Sequence, residues 1–600
     1  MLATSDLHMQ LIGYDYARDR PTGGDSLARL APVIRHARQE ATGQGALCLL
    51  LDNGDTLQGN PLGLYLARHA IDPHPMIAAM NALGYDAVGL GNHDFDHGIA
   101  PLAQMLAQNA APVVCSNLTT DHLPGLAQHC VLERACPSGG PPLRIGIVSA
   151  VPEQTAIWNR HQLDGLVHVA PALKALEAAA ARARDAGAVV VIALAHMGIA
   201  QWDEGTDPQN QVAEVAALPG VDAVIAGHTH LRFPGDDHAD TPGADHTRGL
   251  IDGKPVVMPG NGGSDLGVID LDLIWSEDTA RWRVGAAKSA LRHPPKDADE
   301  DDALVGLAEP AHEATRRELS GSVARLNTPV HSYFTLAKPS SVTALLAAAK
   351  RAAIKQIVAG TELAHLPLLA AAASPATGGF DGPENYISLP AGQLQRRHLA
   401  GLIPYANHVW AVRATGARIA GWLERSALLF NQLQPGAPDQ MLINPHVPGF
   451  RYDTIYGLSY IIDLTQPARF DNNGHPVEGA TGRISSLMYN SAPVAPEQEF
   501  LVAVTDHRAG GGGTFRPFDD VDIVVRGDAP LDQALIAYLH TADTAAGLAE
   551  RPWRFAPAPG VSALLQTAPD ALDHLEDIAE FRAEPCGRTA DGFSLLRLHF

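Results

Sequence analysis

The chain has 600 residues, 46% of them hydrophobic, and a formal net charge of −23 from 43 basic and 66 acidic side chains. That length exceeds what one hydrophobic core can organise and predicts at least two domains. So acidic a chain is unsuited to an electrostatic grip on nucleic-acid polymer, which needs clustered Lys and Arg, and apolar runs such as AVVVIALA at 188–195 stop far short of a bilayer span.

Up to about residue 290 short apolar runs alternate with Ala-rich helical stretches, the pattern of an α/β domain with sheet between helices. In chain order, strands are predicted at MLATSD, ALCLLLDNGD, YDAVGLGN, RIGIVSAV, VVVIALAH, DAVIAGH and PVVMPG. Ligand sites in such sheets lie beyond the carboxyl ends of strands, so their polar endings can share one crevice. Residues 295–327 are charged first and helical in spacing afterwards, which predicts a connector, with a surface helix of the first domain as the alternative. From 328 a second segment opens with the helical SSVTALLAAAKRAAIKQIVAG and continues with strand-like HVWAVRATG, LSYIIDL and QEFLVAVTD. This mixture predicts α+β, with aromatic loops at FDGPENY, PGFRYDTIYG and TFRPF.

The five cysteines, Cys48, Cys115, Cys130, Cys136 and Cys586, form no CxxC pair. Neither a thiolate zinc site nor a disulfide framework is indicated, although Cys130 and Cys136 could close a loop. No charged n-region or apolar h-region precedes MLATSDLH, which leaves a cytoplasmic protein or a removed leader as the alternatives.

The chemistry concentrates at strand ends. SDLH sets Asp6 and His8 two apart, on one side of an extended chain. DNGD ends in Asp55, LGNHDFDHG carries Asn92, His93, Asp94, Asp96 and His97, AHMG supplies His196, and AGHTH supplies His228 and His230. A HxH after a buried strand points toward metal. Five strand ends thus offer Asp6, His8, Asp55, Asn92, His196, His228 and His230. These are oxygen and imidazole donors, sufficient for two divalent ions that share one carboxylate. A purely structural reading would give each a desolvation cost with nothing to offset it.

The ordered series SDLH, GD, GNHDFD, H and GHTH resembles the calcineurin-like metallophosphoesterase superfamily. TSDLHMQLIGYDY, DNGDTLQGNPLGLY, FDGPENY and TQPARFD are similar to the bacterial 2',3'-cyclic-nucleotide 2'-phosphodiesterase/3'-nucleotidase branch of the 5'-nucleotidase family, and the resemblance runs on to WRFAPAPG near the end. It implies an α/β fold, with an N-terminal four-layer α/β/β/α metallophosphoesterase sandwich over 1–294, a connector over 295–327 and a C-terminal α+β nucleotide-binding domain of 5'-nucleotidase type over 328–600. It implies one ion held by Asp6, His8, Asp55 and His230, and another by Asp55, Asn92, His196 and His228, with Asp55 bridging. Manganese, zinc, iron and cobalt all suit these donors. His93 and Asp96 resemble the family's catalytic His-Asp dyad, while Asp94 and His97 are left to a surface or packing role. Phe450 or Tyr452 falls where the family has an aromatic that clamps the base, and His507 takes the partner position where relatives carry Tyr or Phe.

The activity so implied is metal-dependent hydrolysis of 2',3'-cyclic nucleotides to 3'-nucleotides, and of 3'-nucleotides to nucleoside and phosphate. A 5'-nucleotidase or UDP-sugar hydrolase is the alternative within the chemistry, and a catalytically silent nucleotide-binding protein the alternative outside it. The expected partners are small-molecule nucleotides, with no nucleic-acid polymer and no membrane, and the chain is expected to act as a monomer. The resemblance implies a periplasmic location, with the cytoplasm as the alternative.

Overall fold

The computed structural model describes residues 1–137, 139, 141–200, 209–276, 281–379, 382–405, 407–471, 475–512, 522–541 and 548–600. Phe380 and Asp381 of FDGPENY, Gly513 and the TFRPF run lie outside the described residues. The chain folds as two units, Met1–Leu319 and Ser320–Phe600.

All seven runs expected as strands in the first half are strands, but they divide between two sheets. In the first, Leu2–Thr4, Leu50–Asp52, Ala87–Gly89 and Val113–Val114 run parallel, and the hairpin Leu266–Ser276 with Arg281–Arg292 closes one edge antiparallel. In the second, Leu143–Ala150, Val190–Ala195, Ala223–Ala226 and Lys254–Pro259 run parallel.

Alternation along a strand decides what each face meets. Val190, Ile192 and Leu194 pack with Leu51, Ala87 and Val114 of the other sheet. Their neighbours Val191, Ala193 and Ala195 join Leu176 and Ala180 of the helix Ala172–Asp185 and Val215 of the helix Val212–Ala217. On the outer side of the first sheet, the helices Leu27–Gly43 and Pro75–Leu83 contribute Leu30, Ile34, Met76 and Met80. The layers are therefore helix, sheet, sheet and helix. Each large apolar side chain buried in them contributes about 1.5–3 kcal/mol.

The stretch expected as a connector is divided between the units. Its helix, Asp302–Leu319, lays Leu304, Ala308 and Ala311 into the core of the first unit. Its last part, Ser322–Leu326, pairs antiparallel with Gly392–Gln395 in the second.

The second unit is α+β. Its five-stranded sheet runs Thr454–Tyr456, Leu368–Ala372, Glu499–Thr505, His408–Thr415 and Ile523–Pro530, and one of its four pairings is parallel. Leu345 and Ile354 of the helix Ser341–Ile357 and Leu535 of the helix Leu531–Thr541 cover one face. Trp422, Tyr460 and Leu565 belong to the core on the other face, with two further four-stranded sheets. Among the described residues no helix is long and apolar enough to cross a membrane, and no disulfide joins Cys130 to Cys136 or any other pair.

Candidate metal centre

The polar residues predicted at the strand ends come together in the first unit, and the backbone bends sharply to bring them there. Asp6, His8, Asp55, His228 and His230 have φ of 54, 46, 53, 72 and 61°. This is the left-handed region, which costs a non-glycine residue about 1–2 kcal/mol. Main-chain hydrogen bonds hold the bends. Asp6 N–H donates to Gly54 O at 2.9 Å, His8 N–H to Asp55 O at 2.9 Å and Met9 N–H to Thr56 O at 3.0 Å, so the loops after the first two parallel strands zip together. A Cβ on Gly91 would sit 2.1 Å from Asp55 Oδ1, and one on Gly227 would sit 2.2 Å from Ser5 Oγ, so both positions need glycine.

Asp6, His8 and His230 form one group and Asp55, His196 and His228 a second, each with ligand atoms within 4.8 Å of one another. These groups are subsets of the two ligand sets the resemblance implies, with Asp55 in one of them alone. His8 Nδ1 lies 3.0 Å from Gln58 O and His196 Nδ1 lies 2.9 Å from Asn53 O. A carbonyl only accepts, so each Nδ1 carries the proton and each Nε2 turns into the centre. There His8 Nε2 meets His230 Nε2 at 2.9 Å, and His196 Nε2 meets Asp55 Oδ2 at 3.0 Å. Asn92 Oδ1 is buried with no hydrogen-bond partner among the described residues, and Asp55 Oδ2 and His196 Nε2 meet each other. An unpaired buried acceptor costs about 1–3 kcal/mol, and carboxylate, amide and imidazole donors converging in this way fit divalent cations.

The charges follow from the same burial. Burial works against the Asp55 carboxylate, yet the His196 and His93 rings hold it well below the usual carboxylate range. Burial raises the Asp6 carboxyl despite the nearby His196 ring. Burial disfavours the His196 cation, but Asp55 and Asp6 push it up to about 10. Burial and the His196 ring depress His228 to about 3, and burial holds His230 well below its ordinary value. The metal-free chain thus keeps the His196 ring doubly protonated at neutral pH and the His228 and His230 rings neutral.

His93 and Asp96 pair at the rim, with Nδ1 2.9 Å from Asp96 Oδ2, and the His93 side chain keeps 27% exposure. Burial disfavours the imidazolium, but Asp96 and Asp55 hold it at about 9. Its main-chain N–H donates to Asp55 Oδ1 at 2.7 Å, which couples the His93–Asp96 pair to the Asp55 carboxylate.

Asp94, left without a chemical role by sequence reasoning, is the organiser of this turn. It is buried, and its carboxylate accepts the N–H groups of Gly91 at 2.9 Å and of Asp55, Thr56 and Leu57 at 3.0 Å. A surface role is excluded. Two further residues were not anticipated. Asn159 donates to Asn92 O at 2.6 Å, and the Trp158 ring stacks on His228 with centroids 5.6 Å apart and planes 13° apart. Both lie in VPEQTAIWN, which carries no recognisable donor pattern. His97 is half-buried and its Nε2 has no hydrogen-bond partner among the described residues.

In the second unit Phe450 and Tyr452 differ sharply in exposure. Tyr452 is 2% exposed, packed edge-on to Phe430 and Trp553, and has no face for a base; that expectation is corrected. Phe450 is 50% exposed. Arg508 donates to Phe450 O at 3.0 Å and to Gly512 O at 2.7 Å, and pairs with Asp453 Oδ2 at 3.0 Å. It thereby ties the Phe450 turn to the His507 turn, where the half-buried His507 lies against Gly512.

Residues 1–232 match the calcineurin-like phosphoesterase family and residues 322–520 match the 5'-nucleotidase C-terminal domain. The 2',3'-cyclic-nucleotide 2'-phosphodiesterase/3'-nucleotidase of Salmonella typhimurium is 35% identical, over 94% of this chain and 90% of that protein. The trifunctional nucleotide phosphoesterase protein YfkN of Bacillus subtilis is 32% identical across 100% of this chain, which spans 42% of that protein. The structure of the 5'-nucleotidase precursor from Thermus thermophilus has the same fold, with a TM-score of 0.59 at 18% identity over 93% of this chain and 99% of that one.

Two outcomes follow from this geometry. Asp94→Asn keeps the shape but turns one acceptor oxygen into a donor facing two N–H groups; a urea melt should show a loss of about 3 kcal/mol, with metal content reduced in the same preparation. Metal uptake by the stripped protein should expel the His196 proton, because the ion takes the deprotonated ring. Titration at pH 7 in two buffers of different ionisation enthalpy should report about one proton released per chain, and affinity should rise with pH until His196 has titrated.

Proposed function

The chain belongs to the 5'-nucleotidase family of calcineurin-like phosphoesterases, and on that premise we propose that it hydrolyses 2',3'-cyclic nucleotides to 3'-nucleotides and 3'-nucleotides to nucleoside and phosphate. The observation that carries phosphoester chemistry is the pair of Asp/His groups, with the unpartnered Asn92 Oδ1 buried close in sequence to the His93–Asp96 pair. The choice of ester is supported by the Salmonella relative, whose name states that activity.

Asp6, His8, Asp55 and His230 would hold one ion, and Asp55, Asn92, His196 and His228 the other. Ions there supply positive charge to the phosphoryl oxygens and lower the pKa of water. His93 does the remaining work on the leaving side. With Nδ1 held by Asp96, its Nε2 gives a proton to the departing sugar oxygen and stabilises the charge that develops on the phosphoryl group. Opening the 2' ester and then cleaving the 3' ester both release a secondary ring hydroxyl, so one proton donor serves both steps. A 5' ester would present a primary, exocyclic oxygen to the same donor. Phe450 offers an open aromatic face to the base, and stacking on such a face tolerates any base.

A substrate panel with Mn²⁺ should give higher kcat/KM for 2',3'-cyclic AMP and 3'-AMP than for 5'-AMP, and a clear preference for 5'-AMP would defeat the assignment. His93→Ala should keep its metal and lose about 10²–10⁴-fold in kcat. Phe450→Ala should raise KM about tenfold, as expected when one base–aromatic stack is lost. In parallel assays Tyr452→Phe should leave KM where it was.

A further inference from the structure

A second constellation of metal-binding side chains lies in the second unit, made from residues no local pattern connects. His331 ends the short strand Val330–His331, where its N–H donates to Ser341 Oγ at 3.1 Å. His574 and Asp577 stand three apart on the 3₁₀ segment Pro569–Phe581. The backbone leaves helical geometry at His574 itself, with φ −122° and ψ 18°. The ligand atoms of the three residues lie within 4.8 Å of one another.

The packing holds two imidazoles ready. The rings of His331 and His574 are 4.8 Å apart and both rest against Tyr333, at 5.0 and 5.3 Å between centroids. The large majority of buried side-chain polar atoms have a hydrogen-bond partner. Here His331 Nε2 faces Asp577 Oδ2 at 2.7 Å, while Nδ1 is buried with no hydrogen-bond partner among the described residues. The nearby cation Lys338 pairs with Glu580 at 2.8 Å and donates to the main-chain carbonyl of Asp577. Asp577 keeps 47% exposure, so an ion can enter from solvent.

We propose that His331, His574 and Asp577 form a third metal site, for zinc or a similar borderline divalent ion, that fastens the Pro569–Phe581 segment to the strand Val330–His331. Two imidazoles and one carboxylate suit zinc, nickel, cobalt or copper, with water completing the coordination. They do not suit magnesium or calcium, which take oxygen ligands. His331 and Asp577 are 246 positions apart, so the ion would close a long loop and tie the beginning of the unit to a segment near its end.

The test counts zinc. The full-length protein is stripped with chelator, reloaded with excess Zn²⁺, desalted and measured by plasma emission spectrometry beside His574→Ala and Asp577→Asn. Each variant should hold one zinc ion fewer per chain than the parent, while hydrolysis of the nucleotide ester with Mn²⁺ is unchanged. Far-UV circular dichroism in chelator checks the fold, and Asp577→Asn alone decides the matter if His574→Ala misfolds. Equal zinc in the parent and the folded variants overturns the proposal.

Discussion

The centre depends on one carboxylate that touches no ligand atom. Asp94 gathers four main-chain N–H groups from two separate turns, and this fixes where Asp55 and the residues just before His93 can stand. Everything that converges on Asp55 inherits that placement: the His196 contact, the N–H of His93, and the zipper that carries Asp6 and His8. The left-handed residues at these strand ends store strain of the kind found where a site must be aimed, and the two zipped loops keep it from relaxing.

The donors themselves were legible because each is a polar residue interrupting an apolar run, and only strand ends gather such residues in one place. The split of the strands into two sheets came from the family resemblance and not from the strands' own patterns. A strand between two sheets and a strand between helices are buried on both faces alike, so Val190–Ala195 reads the same in either arrangement. The role of Asp94 was hidden for another reason. Its partners are main-chain amides, which leave no trace in residue identity. Asn159 illustrates the same gap, since it acts on the carbonyl of Asn92 rather than on a side chain.

Phe450 and Tyr452 could not be told apart by spacing, because what separates them is the distant pair Phe430 and Trp553, which close over Tyr452 alone. Burial is decided by the whole fold and chemical type by the residue. Two aromatics two positions apart therefore had equal claims until the packing was known. The cluster of His331, His574 and Asp577 was illegible on similar grounds, its members meeting only after most of the second unit has folded between them.

The placement of the helix Asp302–Leu319 has a practical consequence. Composition alone would suggest cutting the chain near residue 294, ahead of the charged run. Such a truncation would remove Leu304, Ala308 and Ala311 from the core they fill and bare an apolar groove beside the helix Leu27–Gly43. Exposed grooves of that kind drive self-association. The natural seam lies some twenty-five residues later, between Leu319 and Ser320, and a fragment ending there would carry its own lid.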